Sequence, residues 1–149
     1  MTEAAPPRRL HFVLPGSVQE VMQKVRSVEA FLLECGCDAR SARQMAVVAE
    51  ELLVNILSDA WPDGSPGHCG VEVTAAAGEG AVQVSLRTED DGVAFDPTGA
   101  AEPDLEASLE DRAIGGLGIH LVRTMTDAQS YRRAGDRNVF EVSKACPRA

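Results

Sequence analysis

Three polar side chains recur four residues apart in a stretch whose apolar residues follow helical spacing. Glu51, Asn55 and Asp59 would lie along one stripe of that helix. Leu52 and Ile56 flank the stripe, and a carboxylate or an amide beside an apolar surface is costly unless a partner binds it. A metal-bound nucleotide would be such a partner, whereas a solvated helix edge would need none. The spacing alone leaves both interpretations open and favours the solvated edge.

A second polar cluster directly follows a stretch of alternating apolar residues. It consists of Asp90, Asp91 and Gly92, with Phe95 shortly after them. A carboxylate at the end of a strand can accept a hydrogen bond from an exocyclic amine such as that of adenine. Gly92 would let a flat ring approach the backbone, and Phe95 would add apolar contact. Asp-Asp-Gly is also a frequent turn sequence, so this segment alone favours a plain turn.

A third candidate segment is rich in glycine and opens a short apolar helix. Its exposed backbone N–H groups and the field at the helix N-terminus could cradle a triphosphate. It is neither a Walker loop nor a dinucleotide fingerprint, because the Lys-Ser/Thr pair and a parallel strand-to-helix unit are absent. The segment is Gly115-Gly116-Leu117-Gly118-Ile119.

Apolar periodicity predicts the elements that would position these residues. Residues 1–8 are expected to form a flexible tail and residues 9–149 one domain. The long aperiodic stretch 89–116 is typical of a lid over a site. The order of elements favours an α+β, two-layer sandwich of about three helices on a mixed, mostly antiparallel sheet. The predicted elements are strand 10–14, helices 17–36 and 38–60, a hairpin over 71–86, a helix from 116, and strands 128–134 and 138–144 around a turn at 135–138.

Composition excludes several classes of function. The chain of 149 residues has 23 acidic and 14 basic residues, a net charge of −9, which disfavours direct nucleic-acid binding. No apolar run could span a bilayer, and the N-terminus does not resemble a signal peptide. We therefore expect a cytoplasmic protein without a membrane segment. Its four cysteines, expected to be free thiols, are Cys35, Cys37, Cys69 and Cys146.

In this order the three candidate segments resemble the Bergerat-fold, histidine-kinase-like ATPases. More narrowly, the chain from about residue 9 to 144 resembles the anti-sigma-factor serine/threonine kinases of bacterial partner-switching systems. Its ending, from Tyr131-Arg132-Arg133 through Gly135-Asp136-Arg137-Asn138-Val139, is also similar to the last hairpin of that family. The segments that carry the resemblance are Glu50-Glu51-Leu52-Leu53-Val54-Asn55-Ile56, Asp90-Asp91-Gly92-Val93-Ala94-Phe95-Asp96-Pro97 and Ile114-Gly115-Gly116-Leu117-Gly118-Ile119-His120-Leu121-Val122.

The resemblance implies ATP and Mg²⁺ as cofactors and assigns roles to residues. Glu51 would be the general base, Asn55 would ligate the magnesium held by ATP, and Asp90 would bind the adenine amine. Asp59 stands where the family commonly has His or Tyr, so its contribution to the site and the competence of the kinase are open. The further implied nucleotide contacts are Gly92, Phe95, Arg112 in a lid over about 98–115, Gly115, Gly116, Leu117, Gly118 and Ile119.

The resemblance also implies partners and leaves alternatives. The implied partners are an anti-anti-sigma protein of the STAS (sulfate transporter and anti-sigma antagonist) type, a sigma factor or similar regulator, and a second copy in a homodimer. One alternative is a nucleotide-gated binding module without significant kinase activity, which Asp59 favours and Glu51 disfavours. Another is a detached histidine-kinase ATPase domain, which the absence of a phosphoacceptor helix disfavours.

Overall fold

The computed structural model describes residues 5–65, 67–99 and 116–149. The predicted elements are present, and the first strand already begins at Arg8, the last residue of the expected tail. Of the implied site residues, Arg112 and Gly115 lie outside the described residues, as does most of the expected lid. The described elements are β1 (Arg8–Val13), α1 (Val18–Glu34), α2 (Ala39–Asp59), β2 (Cys69–Ala77), β3 (Ala81–Asp90), α3 (Gly116–Met125), β4 (Ala128–Ala134) and β5 (Arg137–Pro147).

The described strands form one five-stranded sheet in the order β1-β2-β3-β5-β4. Every pairing between them is antiparallel. Side chains alternate between the two sheet faces, and on β3 the even-numbered residues from Val82 to Asp90 are buried while the odd-numbered ones are more exposed. The two-layer α+β architecture is confirmed, with no parallel pair among the described strands.

The boundaries of the first two helices follow from local capping. Ser17 accepts a hydrogen bond from the Glu20 N–H at 3.2 Å and caps α1. The chain leaves α1 through Gly36, whose φ of 96° suits glycine. Asp38 then caps α2 by accepting from the Ser41 N–H at 2.9 Å. Hydrogen bonding by the Ser41 side chain first, and by its N–H second, lowers the pKa of the Asp38 carboxyl.

The core lies between the inward face of the sheet and helices α1 and α2. On α2 the buried side chains recur at helical spacing, so one continuous apolar stripe faces the sheet. All four cysteines are free. Burial raises the pKa of Cys37 and of Cys69 to about 12, which suppresses the reactive thiolate. The largest fully buried side chains are Leu32, Met45, Leu53, Leu86, Val21, Val28, Val48, Val71, Val73, Val82, Val84 and Val122.

The final hairpin differs from its prediction in the length of the turn. Gly135 and Asp136 form the turn, and Gly135 takes a φ of 62°. The predicted turn residues Arg137 and Asn138 instead begin β5. Asn138 pairs with Asp90 of β3 and is buried on the inward face of the sheet. The turn is shorter because the ladder between β4 and β5 continues to the pair Ala134 and Arg137.

Among the residues described, no helix has the length and hydropathy needed to cross a membrane.

We predict that the stability of the fold depends on the α2 stripe. Leu53→Ala removes a fully buried side chain and is expected to lower the free energy of unfolding by about 2–5 kcal/mol, because it leaves a cavity. Leu33→Ala is the matched control, since Leu33 on α1 is 45% exposed and its loss should cost no more than about 0.5 kcal/mol. Urea denaturation followed by circular dichroism measures both. Equal losses in the two variants would contradict the burial of the stripe.

Candidate functional site

Helix α2 carries the first group of candidate residues. Glu51 and Asn55 are half-buried, whereas Asp59, the last residue of the helix, is exposed. They follow one another at one-turn intervals, as the sequence predicts, and α2 also contacts α3. The structure therefore places Glu51 and Asn55 in a partly desolvated zone and leaves Asp59 in solvent.

The environment of Glu51 changes its acidity. Burial raises the pKa of the Glu51 carboxyl above its ordinary 4.5, and the negative charge of the neighbouring Glu50 raises it further. Desolvation disfavours the charged form of a carboxyl group, and a nearby like charge acts in the same direction. A carboxylate perturbed in this way accepts a proton more readily than an ordinary one, which is the property that a general base needs.

Asp90 ends β3 with its side chain turned inward and is only 5% exposed. Its Oδ1 accepts hydrogen bonds from the Gly92 N–H at 2.9 Å and from Asn138 Nδ2 at 2.9 Å. Both donors bond to the same oxygen of the carboxylate. Within the described residues Oδ2 receives no hydrogen bond, so this oxygen is available to accept one from a ligand.

Asn138 is a site residue that the sequence did not reveal. Its Nδ2 donates to Asp90 and, at 2.8 Å, to the Val93 carbonyl. Its Oδ1 accepts from the Phe95 N–H at 3.2 Å and from the Tyr131 hydroxyl at 2.6 Å. An asparagine after Gly-Asp-Arg is typical of a turn, and only its inward position on β5 marks it as a buried polar residue with partners.

Asp91 points to the opposite side from Asp90 and holds a loop. Its Oδ1 accepts from the His68 N–H and from the Trp61 indole Nε1, each at 2.9 Å. The His68 N–H first, and then the Trp61 indole, hold the pKa of the Asp91 carboxyl below its usual range. Trp61 therefore joins the segment that leaves α2 to the end of β3.

Gly92 is a glycine because α2 comes very close to it. A Cβ at this position would lie 2.5 Å from Ala60 Cβ and 2.6 Å from the Ala60 carbonyl oxygen. The next residue fixes the contact, since the Val93 N–H donates to the Ala60 carbonyl at 2.9 Å. The close approach of α2 to the segment after β3 therefore explains why residue 92 is a glycine, independently of any ring that the site binds.

Apolar side chains border this junction on the solvent side. Phe95 is 54% exposed and Val93 50% exposed, although both backbones are hydrogen-bonded to Asn138 or Ala60. Large apolar side chains held on a fixed backbone but left in solvent are typical of a binding-site border. Contact between Phe95 and a flat ring stays a prediction, with which its exposure is compatible.

The glycine-rich segment forms the start of α3, as predicted. The helix begins at Gly116, so Leu117, Gly118 and Ile119 occupy its first turn. The helix is fixed to the segment after β3 through Arg123, whose Nη2 donates to the carbonyls of Pro97 at 3.3 Å and Thr98 at 2.6 Å. A helix N-terminus can favour an anion, so the start of α3 at Gly116 stays a candidate phosphate contact.

The chain matches a known protein family along most of its length. The model of the family described as "Histidine kinase-like ATPase domain" matches residues 14–144. The chain belongs to this family. The family is one of ATPase domains, which implies that its members use ATP.

A curated relative narrows the relationship. The serine/threonine-protein kinase BtrW of Bordetella bronchiseptica is 36% identical over 110 residues, which cover 73% of this chain and 75% of that protein. Within the family, the chain belongs with the serine/threonine protein kinases of the anti-sigma-factor type.

A solved structure supports the fold independently. The RsbU and RsbW domains of Rv1364c from Mycobacterium tuberculosis superpose with a TM-score of 0.59 at 18% identity. The match covers 97% of this chain and 34% of that one, so this chain spans about a third of that longer protein. At this identity the likeness shows the fold alone.

We predict that Gly92→Ala disturbs the junction between α2 and β3. The new methyl group would collide with the Ala60 backbone, so the segment must move, and we expect a loss of about 1–3 kcal/mol in the free energy of unfolding. Gly16→Ala is the control, because a Cβ there would meet nothing within 4 Å. Thermal unfolding of both variants checks this, and a Gly92→Ala protein as stable as Gly16→Ala would show that the junction is not tight.

Proposed function

We propose that this protein is an ATP-dependent serine/threonine protein kinase that acts as an anti-sigma factor in a partner-switching system. The observation that carries the proposal is the junction at Gly92 and Ala60, which brings Asp90 to the same end of the fold as the α2 stripe. One nucleotide can contact Asp90 through its purine and the α2 stripe through its phosphates only if the two groups lie close together.

Asp90 is proposed to bind the purine ring. Its Oδ1 is taken up by the Gly92 N–H and Asn138, which leaves Oδ2 to accept a hydrogen bond from the 6-amino group of adenine. The exposed side chains of Val93 and Phe95 supply apolar surface for the ring. Mostly apolar walls with one well-placed polar group are typical of a small-molecule site.

Asn55 is proposed to hold Mg²⁺ together with the phosphates of ATP. Among the described residues, no cluster of three or more His, Cys, Asp or Glu could hold a metal by itself. A single amide oxygen fits Mg²⁺ better than a protein cage would, because this ion keeps several waters and shares its remaining ligands with phosphates. When bound, the ion would neutralise phosphate charge, and the start of α3 at Gly116 would contribute its N–H groups to the same phosphates.

Glu51 is proposed as the general base. The hydroxyl oxygen of a substrate serine or threonine bonds to the γ-phosphorus, the bond from that phosphorus to the bridging oxygen of ADP breaks, and the hydroxyl proton passes to Glu51. Phosphoryl transfer depends mainly on positioning and charge neutralisation, so the residues on α2, β3 and α3 suffice. The raised pKa of Glu51 suits it to accept this proton.

The partners are proposed from the family relationship. The substrate would be a STAS-type anti-anti-sigma protein, phosphorylated on serine or threonine, and a sigma factor or similar regulator would be sequestered by the kinase. The kinship with the kinase BtrW and the fold shared with a structure containing an RsbW domain support this assignment. We propose a homodimer on the same grounds.

We predict that α2 separates binding from transfer. Asn55→Ala should lose magnesium-dependent ATP binding, measured by calorimetry with and without Mg²⁺. Glu51→Gln should bind ATP normally and transfer phosphate to a STAS-type partner about 10²- to 10⁴-fold more slowly. Glu50→Gln is the matched control and should retain transfer. Unchanged transfer by Glu51→Gln would remove the base assignment, and absence of transfer by the wild-type protein with ATP binding intact would favour a nucleotide-gated binding module.

The pH dependence of transfer provides a second test. Because Glu51 must be ionised to act as a base and its pKa is raised above 4.5, the rate should rise with pH through a point above that value. Removing the charge of Glu50 in Glu50→Gln lowers the pKa of Glu51, so the rise should move to lower pH. Single-turnover transfer rates between pH 4.5 and 8 measure both profiles, and a shift to higher pH would contradict the electrostatic argument.

A further inference from the structure

We infer that Asn138, with Tyr131 behind it, makes the site discriminate in favour of a 6-amino purine and against a 6-oxo purine. The inference rests on the proposed nucleotide site and assigns its selectivity to two residues of the last hairpin, outside the three candidate segments. Asn138 is a positioning residue in this scheme, because it acts through the carboxylate of Asp90.

Backbone groups fix the orientation of the Asn138 amide. The Phe95 N–H can only donate, and it bonds to Oδ1 at 3.2 Å. The Val93 carbonyl can only accept, and it bonds to Nδ2 at 2.8 Å. A flipped amide would break both bonds. The Tyr131 hydroxyl adds a third constraint, since it donates to Oδ1 at 2.6 Å. The group that faces Asp90 is therefore a donor.

This orientation determines what Asp90 offers a ligand. Nδ2 of Asn138 and the N–H of Gly92 both donate to Oδ1, so Oδ1 is occupied and Oδ2 is the oxygen left for a ligand. A carboxylate oxygen accepts hydrogen bonds and has none to donate. A 6-amino group can donate to Oδ2. A 6-oxo group would place a second acceptor against it, and an unpaired buried acceptor is costly. This selectivity arises as much from the repulsion of the 6-oxo acceptor as from the hydrogen bond of the 6-amino donor.

The same amide also fixes the apolar border of the site. The Asn138 amide is hydrogen-bonded to the backbones of Val93 and Phe95. It therefore fixes the position of these two exposed side chains relative to Asp90. Arg133 supports the turn from the other side, donating from Nη1 to the Gly92 carbonyl at 2.9 Å. Recognition of the purine edge by Asp90 and contact of Phe95 with the purine face therefore both depend on the side chain of Asn138.

The test compares magnesium-ATP with magnesium-ITP, the inosine nucleotide, which carries a 6-oxo group and lacks the 2-amino group of guanine. Affinities are measured by calorimetry for the full chain and for Asn138→Asp, Tyr131→Phe and Gln129→Glu. Gln129→Glu is the matched control, because Gln129 is a half-buried amide on β4 two residues from Tyr131 whose side chain bonds to Thr126 instead of the site.

We expect the wild-type protein to bind ATP about 10- to 100-fold more tightly than ITP. In Asn138→Asp two carboxyl groups face each other at hydrogen-bond distance, and the pair retains one proton. In the fraction of the protein in which Asp90 Oδ2 carries that proton, this oxygen donates to a 6-oxo group and no longer accepts from a 6-amino group. The ratio of ATP affinity to ITP affinity should then fall by about tenfold or more, chiefly through tighter ITP binding. Loss of fold alone would weaken the binding of both nucleotides equally.

Tyr131→Phe keeps the aromatic ring and should lower the ratio of ATP affinity to ITP affinity about two- to fivefold.

The outcomes separate the inference from the proposed function. If the folded wild-type protein binds neither nucleotide, the proposed function fails. If it prefers ATP but Asn138→Asp and Tyr131→Phe both keep the wild-type ratio, the proposed function stands and the role of Asn138 is refuted. Should Asn138→Asp not fold, the ratio in Tyr131→Phe decides. A ratio that narrows equally in Gln129→Glu would also refute the inference, because the effect would then be general to buried amides of this sheet.

Discussion

The close approach of α2 to the end of β3 is the constraint on which the rest of the site depends. Ala60 follows the last turn of α2, and its carbonyl accepts the Val93 N–H while its Cβ occupies the space that a side chain on residue 92 would need. Most of the contact between helices and sheet is apolar packing, which is non-directional. This junction adds direction, because a hydrogen bond and a steric limit together fix how far the helix lies from the strand end.

The neighbouring aspartates support that junction from both faces of the sheet. Successive residues of a strand point to opposite sides, so Asp90 turns inward to Asn138 while Asp91 turns outward to Trp61 and the His68 N–H. Asp91 fixes the loop that leaves α2, and Asp90 is left with an oxygen for a ligand. The two adjacent aspartates therefore have different partners: Asp91 holds a loop, and Asp90 keeps an oxygen for a ligand.

The sequence predicts most of this fold because its signals are local. Ser17 and Asp38 cap helices, apolar residues recur with clear periods, and the strand bounds follow from alternation. It also predicts which segments carry the site, since the glycine-led helix and the α2 stripe can be recognised one segment at a time. The architecture could be inferred because few arrangements bury so many apolar faces at once.

What the sequence could not supply are relations between distant residues. Asn138 lies 48 positions from Asp90, and its local context favours a turn, so only the register of β3 and β5 reveals it as a partner. Gly92 was predicted to be small for the sake of a ring, yet its closest neighbour is Ala60, which belongs to another element. Steric needs of this kind depend on tertiary distances that no periodicity encodes.

Asp59 shows how exposure decides the weight of an unfavourable charge. It ends α2 in solvent, where two like unit charges even 4 Å apart repel by only about 1 kcal/mol, and salt screens them further at longer range. Such a cost would reduce the affinity for a polyphosphate by roughly a factor of five, which a magnesium ion could offset. Glu51 is different, because it is half-buried and its pKa is raised by burial, so its protonation responds strongly to its surroundings. We therefore expect the chemistry of α2 to depend on Glu51, which the fold partly removes from water, and we expect Asp59 to change only the affinity for a nucleotide.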